Sequence, residues 1–409
     1  MKRILTFIIA FAGIILPQSC QKSNADTNTE FQPIVLTKTQ QEYVDNGNQF
    51  AYNWLRVVNK DQKEDWCVSP LSLQFVLSML ANGANEETLS EICSVLGYGE
   101  EGLAELNEFA RTILSGLKGI DPSTIFQSSA IALADQGVPF VSEFKETVSG
   151  TYGASTHEMD FSNKQAVVDW VNNWASNNTN GMIKKILEVN DLTGKIYSIL
   201  GNALYFKGKW TSRFKTSDTE QTKFYLENGA YKNVPMMKQK GSFQCTQTEA
   251  YKQVTLWYGN GAFFMDILLP FENKTIDDAI DYLVINGRRY GDPRDADIWL
   301  PRFEVSTEKM EVNKQLTSLG LSEAVFDGGN YPGMQKGLFS SFIRTVQSAK
   351  INVDESGSVA AAVTVNTNYA VAPAPTSGVF EFHADHPFLY IIRESSTKAI
   401  LFAGKYGTN

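Results

Sequence analysis

The chain has 409 residues, with 45 acidic and 36 basic side chains and a formal net charge of −9. That length is enough to bury a large core, and the acidic balance argues against nucleic acid or heparin-like polyanions as partners. Four cysteines and three histidines leave little material for a disulfide framework, and their spacing matches no zinc pattern.

Lys2 and Arg3 precede an apolar run from Ile4 to Leu16, too short to span a bilayer but suited to a secretory signal. Cys20 follows Pro17-Gln-Ser19, and a small residue before cysteine at the end of such a run resembles a bacterial lipoprotein cleavage site. The leucine usual three places before that cysteine stands one place early, at Leu16. The division expected is a signal over 1–19, a lipidated or flexible tether over 20–38 that is polar and rich in Asn and Thr, and one domain over 39–409. The protein is then exported. It is expected as an outer-membrane or cell-surface lipoprotein touching the membrane only through Cys20, and otherwise as a periplasmic or secreted protein. Cys67, Cys93 and Cys245 lie in apolar surroundings and are expected as buried thiols.

Tyr43, Phe50, Trp54 and Val57 recur near helical spacing and predict an amphipathic helix over Thr39 to Val58. Ser69-Pro70 is a helix start, with serine capping free N–H groups and proline where no donor is needed. Leu71 to Leu80 behind it is almost wholly apolar, so this helix should be buried. A further helix runs from Asn85 to Gly97, and Val167, Trp170, Val171 and Trp174 form a packing stripe on another. From Tyr197 the pattern turns to strands: SILGNALYF, FMDILLP, ADIWLPRFEV, the stretch from Phe342 to Asp354, and a closing hairpin of HPFLYIIRE and AILFAGKY. Helices first and strands later predict an α+β fold.

Enzyme signatures are missing from the sequence. It has no Gly-x-Ser-x-Gly elbow, no His-Glu-x-x-His and no phosphate-binding glycine loop. His383-Ala-Asp385-His386 invites a metal, but the adjacent Pro387 and the extended pattern favour residues at a strand edge. No cofactor and no metal are expected.

The most informative stretch follows Ala349. A strand through Ile351 and Val353 continues into Glu355-Ser-Gly357-Ser358, then Val359-Ala360-Ala361-Ala362-Val363-Thr364, and ends in Ala-Pro-Ala-Pro375. Tiny side chains let a backbone slide between strands, while Val and Thr favour extension. The stretch resembles the hinge and reactive loop of the serpins, matching at Glu355, Gly357, Ala360, Ala361, Ala362 and Thr364. Ser358 is a conservative change, and Val359 and Val363 depart from the pattern. Other segments resemble serpins in the same order over nearly all of Thr39 to Asn409: Ser69-Pro-Leu-Ser72, Leu80-Ala-Asn-Gly-Ala84, Asn202-Ala-Leu-Tyr-Phe-Lys-Gly-Lys-Trp210, Val234-Pro-Met-Met-Lys238, Leu300-Pro-Arg-Phe303 and Ala384-Asp-His-Pro-Phe388.

The resemblance implies a large central sheet that accepts the loop as an extra strand, further sheets, and about eight or nine helices. Ser69, Ser72 and Asn202 match the family's hydrogen-bonded shutter, with Gln347 where a histidine is common. Gln can both donate and accept, but it does not titrate. Trp210 matches the breach where the loop enters, and Arg302 is the expected partner of Glu355. The implied activity is inhibition of a serine protease, or also of a cysteine protease, by a monomer acting as a suicide substrate. Counting from Glu355 puts the cut bond at Val371-Ala372, with Tyr369-Ala370 and Ala370-Val371 as alternatives; a small β-branched residue there suits an elastase-like enzyme. The inward side chains of an inserted loop are Ser358, Ala360, Ala362 and Thr364, then Asn366 and Asn368. The two asparagines are costly to bury without partners. They support the rival expectation, a non-inhibitory serpin acting as a binding module.

Overall fold

Twelve consecutive residues, Pro70–Ala81, form a helix with no exposed side chain, and the rest of the molecule is arranged around it. The computed structural model describes residues 31–99, 102–194, 196–322, 325–336, 341–357 and 378–408. The first half contains α1 (Lys38–Asp61), β1 (Trp66–Val68), α2 (Pro70–Ala81), α3 (Glu86–Leu96), α4 (Leu103–Leu117), β2 (Ile125–Asp135), α5 (Ser142–Tyr152), β3 (Ala154–Met159) and α6 (Lys164–Asn178). Next come β4 (Ser198–Lys207), β5 (Glu220–Tyr225), β6 (Tyr231–Gln247), β7 (Tyr251–Tyr258), β8 (Phe263–Pro270) and α7 (Ile276–Asn286). The chain continues through β9 (Asp292–Pro301), β10 (Phe303–Glu311), α8 (Val312–Ser318), β11 (Asp327–Gly329) and β12 (Ser341–Val353). It closes with β13 (Phe380–His383), β14 (Phe388–Glu394) and β15 (Ile400–Tyr406). Eight α-helices thus stand among the described residues.

The helix ends follow their sequence signals. Thr37 and Gln40 form a reciprocal capping box on α1, Ser69 accepts from the Ser72 N–H at the start of α2, and Gly97 ends α3 in the left-handed region at φ 73°. Phe31, Ile34 and Leu36 pack against the core, and the Ile34 N–H donates to Ser396 Oγ at 2.9 Å. The packed chain therefore begins earlier than the boundary expected at residue 39.

The strands form two sheets. One has nine strands in the order β1-β15-β14-β8-β7-β6-β9-β13, with β5 beside β6, antiparallel except for β13 against β9. The other has six, in the order β10-β12-β4-β2-β3 with β11 on β12. In it β12 lies antiparallel to β10 but parallel to β4. The fold is α+β. The expectation of helices first is only partly met, because β2 and β3 join the six-stranded sheet from the first half. Nor is ADIWLPRFEV a single strand: it divides at Arg302, with β9 in one sheet and β10 in the other. The Arg302 N–H donates to Pro235 O of β6 at 2.8 Å, the last bond of the β6–β9 contact, and from Phe303 the chain pairs with β12 instead.

Leu200, Leu204, Ala349 and Ile351 face the main core around α2. Ile131, Leu133, Ile199 and Ala203 face the other way, under Val167, Val171 and Trp174 of α6. Cys67, Cys93 and Cys245 are buried thiols. Among the described residues, no helix is long and apolar enough to cross a membrane.

Candidate functional site

The site forms where β12 ends. Asp354 and Gly357 close a tight antiparallel turn through Asp354 N–H to Gly357 O at 2.8 Å and Gly357 N–H to Asp354 O at 3.2 Å. On its other side Gly357 bridges antiparallel to Lys209, and the Trp210 N–H donates to Ser356 O at 2.9 Å. Glycine is required at 357: φ is +124°, and a Cβ would lie 2.3 Å from Gly208 O and 2.5 Å from Lys209 Cα. Trp210, buried and stacked on Tyr258 at 4.3 Å, donates through Nε1 to Asp354 O at 2.9 Å.

Glu355 is held in this turn by a two-pronged contact. Arg302 Nη2 lies 2.6 Å from Glu355 Oε1 and Nε lies 3.2 Å from Oε2, a fork geometry that fixes direction as well as charge. Thr219 Oγ1 also donates to Oε1 at 2.7 Å, and the Phe214 N–H donates to Glu355 O at 3.1 Å. Burial alone would raise the Glu355 carboxyl. The hydrogen bonds from Arg302 and Thr219 and the Arg302 charge outweigh burial and hold the carboxyl below the ordinary glutamate range. Arg302 stands at the β9–β10 corner, so the clasp ties the end of β12 to the junction of the two sheets.

Farther along, β4 and β12 lie side by side, with Ser198 to Ala203 opposite Ile343 to Ser348. Asn202 and Gln347 are direct partners in that register. Gln347 Oε1 accepts from the Ser69 N–H at 3.0 Å while its Nε2 donates to Ser69 O at 2.8 Å. Ser69 Oγ donates to Leu401 O at 2.7 Å, which ties α2 to both β12 and β15. Asn202 Nδ2 reaches Ser128 Oγ at 3.4 Å. Ser72 Oγ and Asn202 Oδ1 are buried with no partner among the described residues.

The structure therefore gathers the sequence candidates into two clusters. Trp210, Arg302, Glu355 and Gly357 meet at the turn, and Ser69, Ser72, Asn202 and Gln347 meet at the β4–β12 contact. Cys20, Ser358, Ala360, Ala361, Ala362, Thr364, Val371 and Ala372 lie outside the described residues. Sequence reasoning missed Thr219 and Leu401, since one contributes a lone hydroxyl from a connection and the other only a backbone carbonyl. His383 stacks on Trp299 at 4.2 Å. His386 uses both ring nitrogens, toward Asp385 Oδ1 at 2.9 Å and Pro270 O at 2.8 Å. Among the described residues, no three His, Cys, Asp or Glu side chains gather as a metal site.

A family model described as Serpin (serine protease inhibitor) matches residues 45–408. The chain belongs to the serpin family. Serpin-Z1C of Triticum aestivum is 33% identical to this serpin over 357 residues, covering 82% of this chain and 88% of its own. Among solved structures, Serpin48 of Tenebrio molitor matches with a TM-score of 0.80 at 24% identity, covering 91% of this chain and all of the other. Human thyroxine-binding globulin, solved with its ligand, matches at 0.79 and 22% identity, again over 91% of this serpin.

Proposed function

We propose that this serpin inhibits a serine protease of elastase type by acting as a suicide substrate at Val371-Ala372. The protease serine attacks the Val371 carbonyl, the bond to Ala372 breaks, and the amine of Ala372 leaves with a proton, so the acyl ester stays on Val371. The freed segment beginning at Ser358 then enters the six-stranded sheet between β4 and β12, carrying the acylated protease with it.

One observation carries this reading: two parallel neighbours, β4 and β12, with a turn at their end already bridged to both sides. A strand leaving Gly357 runs opposite to β12 and β4 alike. Insertion therefore replaces one parallel contact with two antiparallel ones, the slightly more stable pairing, and strand addition of this kind is a general recognition mode. Each new backbone bond contributes about 1 kcal/mol net, so a dozen of them make insertion strongly downhill. The Glu355 clasp and the Gln347–Ser69 contact hold the uncut state together until then.

Incubation with an elastase-like protease is expected to give a covalent complex that survives boiling in detergent. Cut chain with fully active protease would refute the reading. The fold alone does not decide, since human thyroxine-binding globulin shares it, and a binding module without insertion is the second reading. Heating separates the two: an inhibitor gains marked heat resistance when its loop is cut, and a binding module does not. A lipid on Cys20 and display at a cell surface complete the proposal, and the mass of the N-terminal peptide from membranes tests them.

A further inference from the structure

The chain ahead of α1 lies down on the body of the molecule. Phe31, Ile34 and Leu36 are partly buried and pack on the core, while Val35 between the last two is 82% exposed, so the segment forms an extended strap. It has two seats. The Ile34 N–H donates to Ser396 Oγ at 2.9 Å, and that hydroxyl donates in turn to Glu394 Oε1 at 2.7 Å. The Ile34 side chain rests on bare backbone at Gly116, in the last turn of α4, where a Cβ would stand 2.8 Å from Cγ1 and 3.1 Å from Cγ2. A branched side chain stiff at χ1 does not swing both carbons clear, so glycine at 116 is what makes room for Ile34.

Both seats lead to the same place, the turn between β7 and β8. Beside Ser396, the Ser395 N–H donates to Ala262 O at 2.8 Å. Beyond Gly116, the connection to β2 carries Ile120 O, which accepts from Asn260 Nδ2 at 3.0 Å. It also carries Asp121, against which Gly259 is pressed so closely that a Cβ there would stand 1.8 Å from Asp121 Oδ2. Asp121 is itself fixed, buried and bonded by the Ser123 N–H and the Thr124 hydroxyl. From that turn the Gly259 N–H donates to Lys209 O at 2.7 Å, and Thr211 Oγ1 donates to Gly259 O at 2.9 Å. Lys209 is the residue bridged to Gly357, and Trp210 next to it bonds Ser356 O.

We infer that Phe31 to Leu36 latch the turn at Gly357 from a distance. Seating the strap ties Ser396 to the end of α4, and the β7–β8 turn is gripped between the elements to which those two residues belong. The far flank of the β14–β15 turn is held by α1, through Asn48 to Lys398 O and the Ile400 N–H, so the strap takes its tip. Unseating the strap frees one side of the grip. Residues 208–214 then part from Ser356 and Gly357 more often, as a local opening well short of unfolding. The latch is a property of the uncut chain and does not depend on whether the loop enters a sheet. Trimming or drawing away the chain ahead of α1 would loosen the turn.

Hydrogen exchange of the full chain tests this with Ile34→Ala, Gly116→Ala and the double variant. Alanine suits a helix better than glycine, so Gly116→Ala strengthens α4 itself while its methyl evicts Ile34. Any loosening it causes reports the strap and not the helix. Each single variant is expected to quicken exchange about fivefold, the worth of one hydrogen bond, at the Ser395, Gly259 and Trp210 amides. The Ile186 and Leu187 amides, which bond Asn172 Oδ1 at 2.8 and 3.1 Å, should be unchanged. The double variant should exchange no faster than either single one, because a smaller side chain at 34 leaves room for the methyl. Quickening at Ser395 with none at Gly259 and Trp210 would make the strap a local brace and overturn the latch. Equal quickening at Ile186 and Leu187, additive effects in the double variant, or no change at all would overturn it as well.

Discussion

The side-chain amide of Gln347 closes a ring with the backbone of Ser69, accepting its N–H at 3.0 Å and donating to its carbonyl at 2.8 Å. One amide thereby satisfies both backbone groups at the cap of α2, from a strand 278 residues away in sequence. Gln347→Ala leaves the Ser69 N–H buried and unsatisfied, while Ser69 O keeps the Leu73 N–H at 3.2 Å. A loss of about 1–3 kcal/mol in the uncut chain is expected, read as a lower urea midpoint. An unchanged midpoint would show that water or a neighbour takes the place of the amide.

Acid should loosen the end of β12. Because the Glu355 carboxyl is held below its ordinary range, its contribution is present above the unfolded value of about 4.3 and is lost as pH falls through the folded one. Hydrogen exchange at the Trp210 and Phe214 amides, which bond Ser356 O and Glu355 O, is expected to quicken over that acid range. Arg302→Ala should bring fast exchange to neutral pH, and Glu355→Gln should flatten the acid dependence. Equal protection at pH 3 and pH 7 in the unsubstituted chain would count against the clasp.

Near neutrality the opposite sign applies at the corner between β13 and β14. Burial pulls the His386 imidazole down, but its hydrogen bonds to Asp385 and Pro270 O, aided by the Asp385 and Glu272 charges, raise it overall. Its contribution is complete below about pH 6.5 and is lost as pH rises through the folded value. Proton NMR titration of the imidazole should show the raised value directly, and His386→Gln should remove the matching change in melting temperature between pH 6 and 8. Since Gln347 does not titrate, no part of that change should come from the Ser69 contact.

The thiols should be inert. Burial pushes Cys67 and Cys245 up to about 12, so little thiolate is available there, and Cys93 is only 1% exposed, closed to a reagent. Peptide mapping after treatment with a thiol reagent at pH 8 should find these three unlabelled until denaturant is added. Rapid labelling of any one in the folded chain would contradict its placement in the core.

Much of this was legible in the sequence because local chemistry agrees with the global arrangement. Ser69-Pro70 announces a helix start, Leu71 to Leu80 announces its burial, and the apolar run at Asn202 announces an internal strand. The division at Arg302 was hidden, because Leu300-Pro-Arg-Phe303 has strand composition on both sides and only tertiary pairing sends its halves to different sheets. The early strands β2 and β3 were hidden for a related reason: His157 and Glu158 of β3 are polar, and its sheet neighbour comes from β2 rather than from an adjacent hairpin. At the site, the Arg302–Glu355 and Gln347 positions could be named from the family pattern. Thr219 and Leu401 could not, since a lone hydroxyl or a backbone carbonyl leaves no motif.

A crystal structure of the chain cut at Val371-Ala372 tests the central claim most directly. The account predicts a new strand from Ser358 onward between β4 and β12, antiparallel to both. A cut molecule in which Ser198 to Ala203 still pair with Ile343 to Ser348 would contradict it.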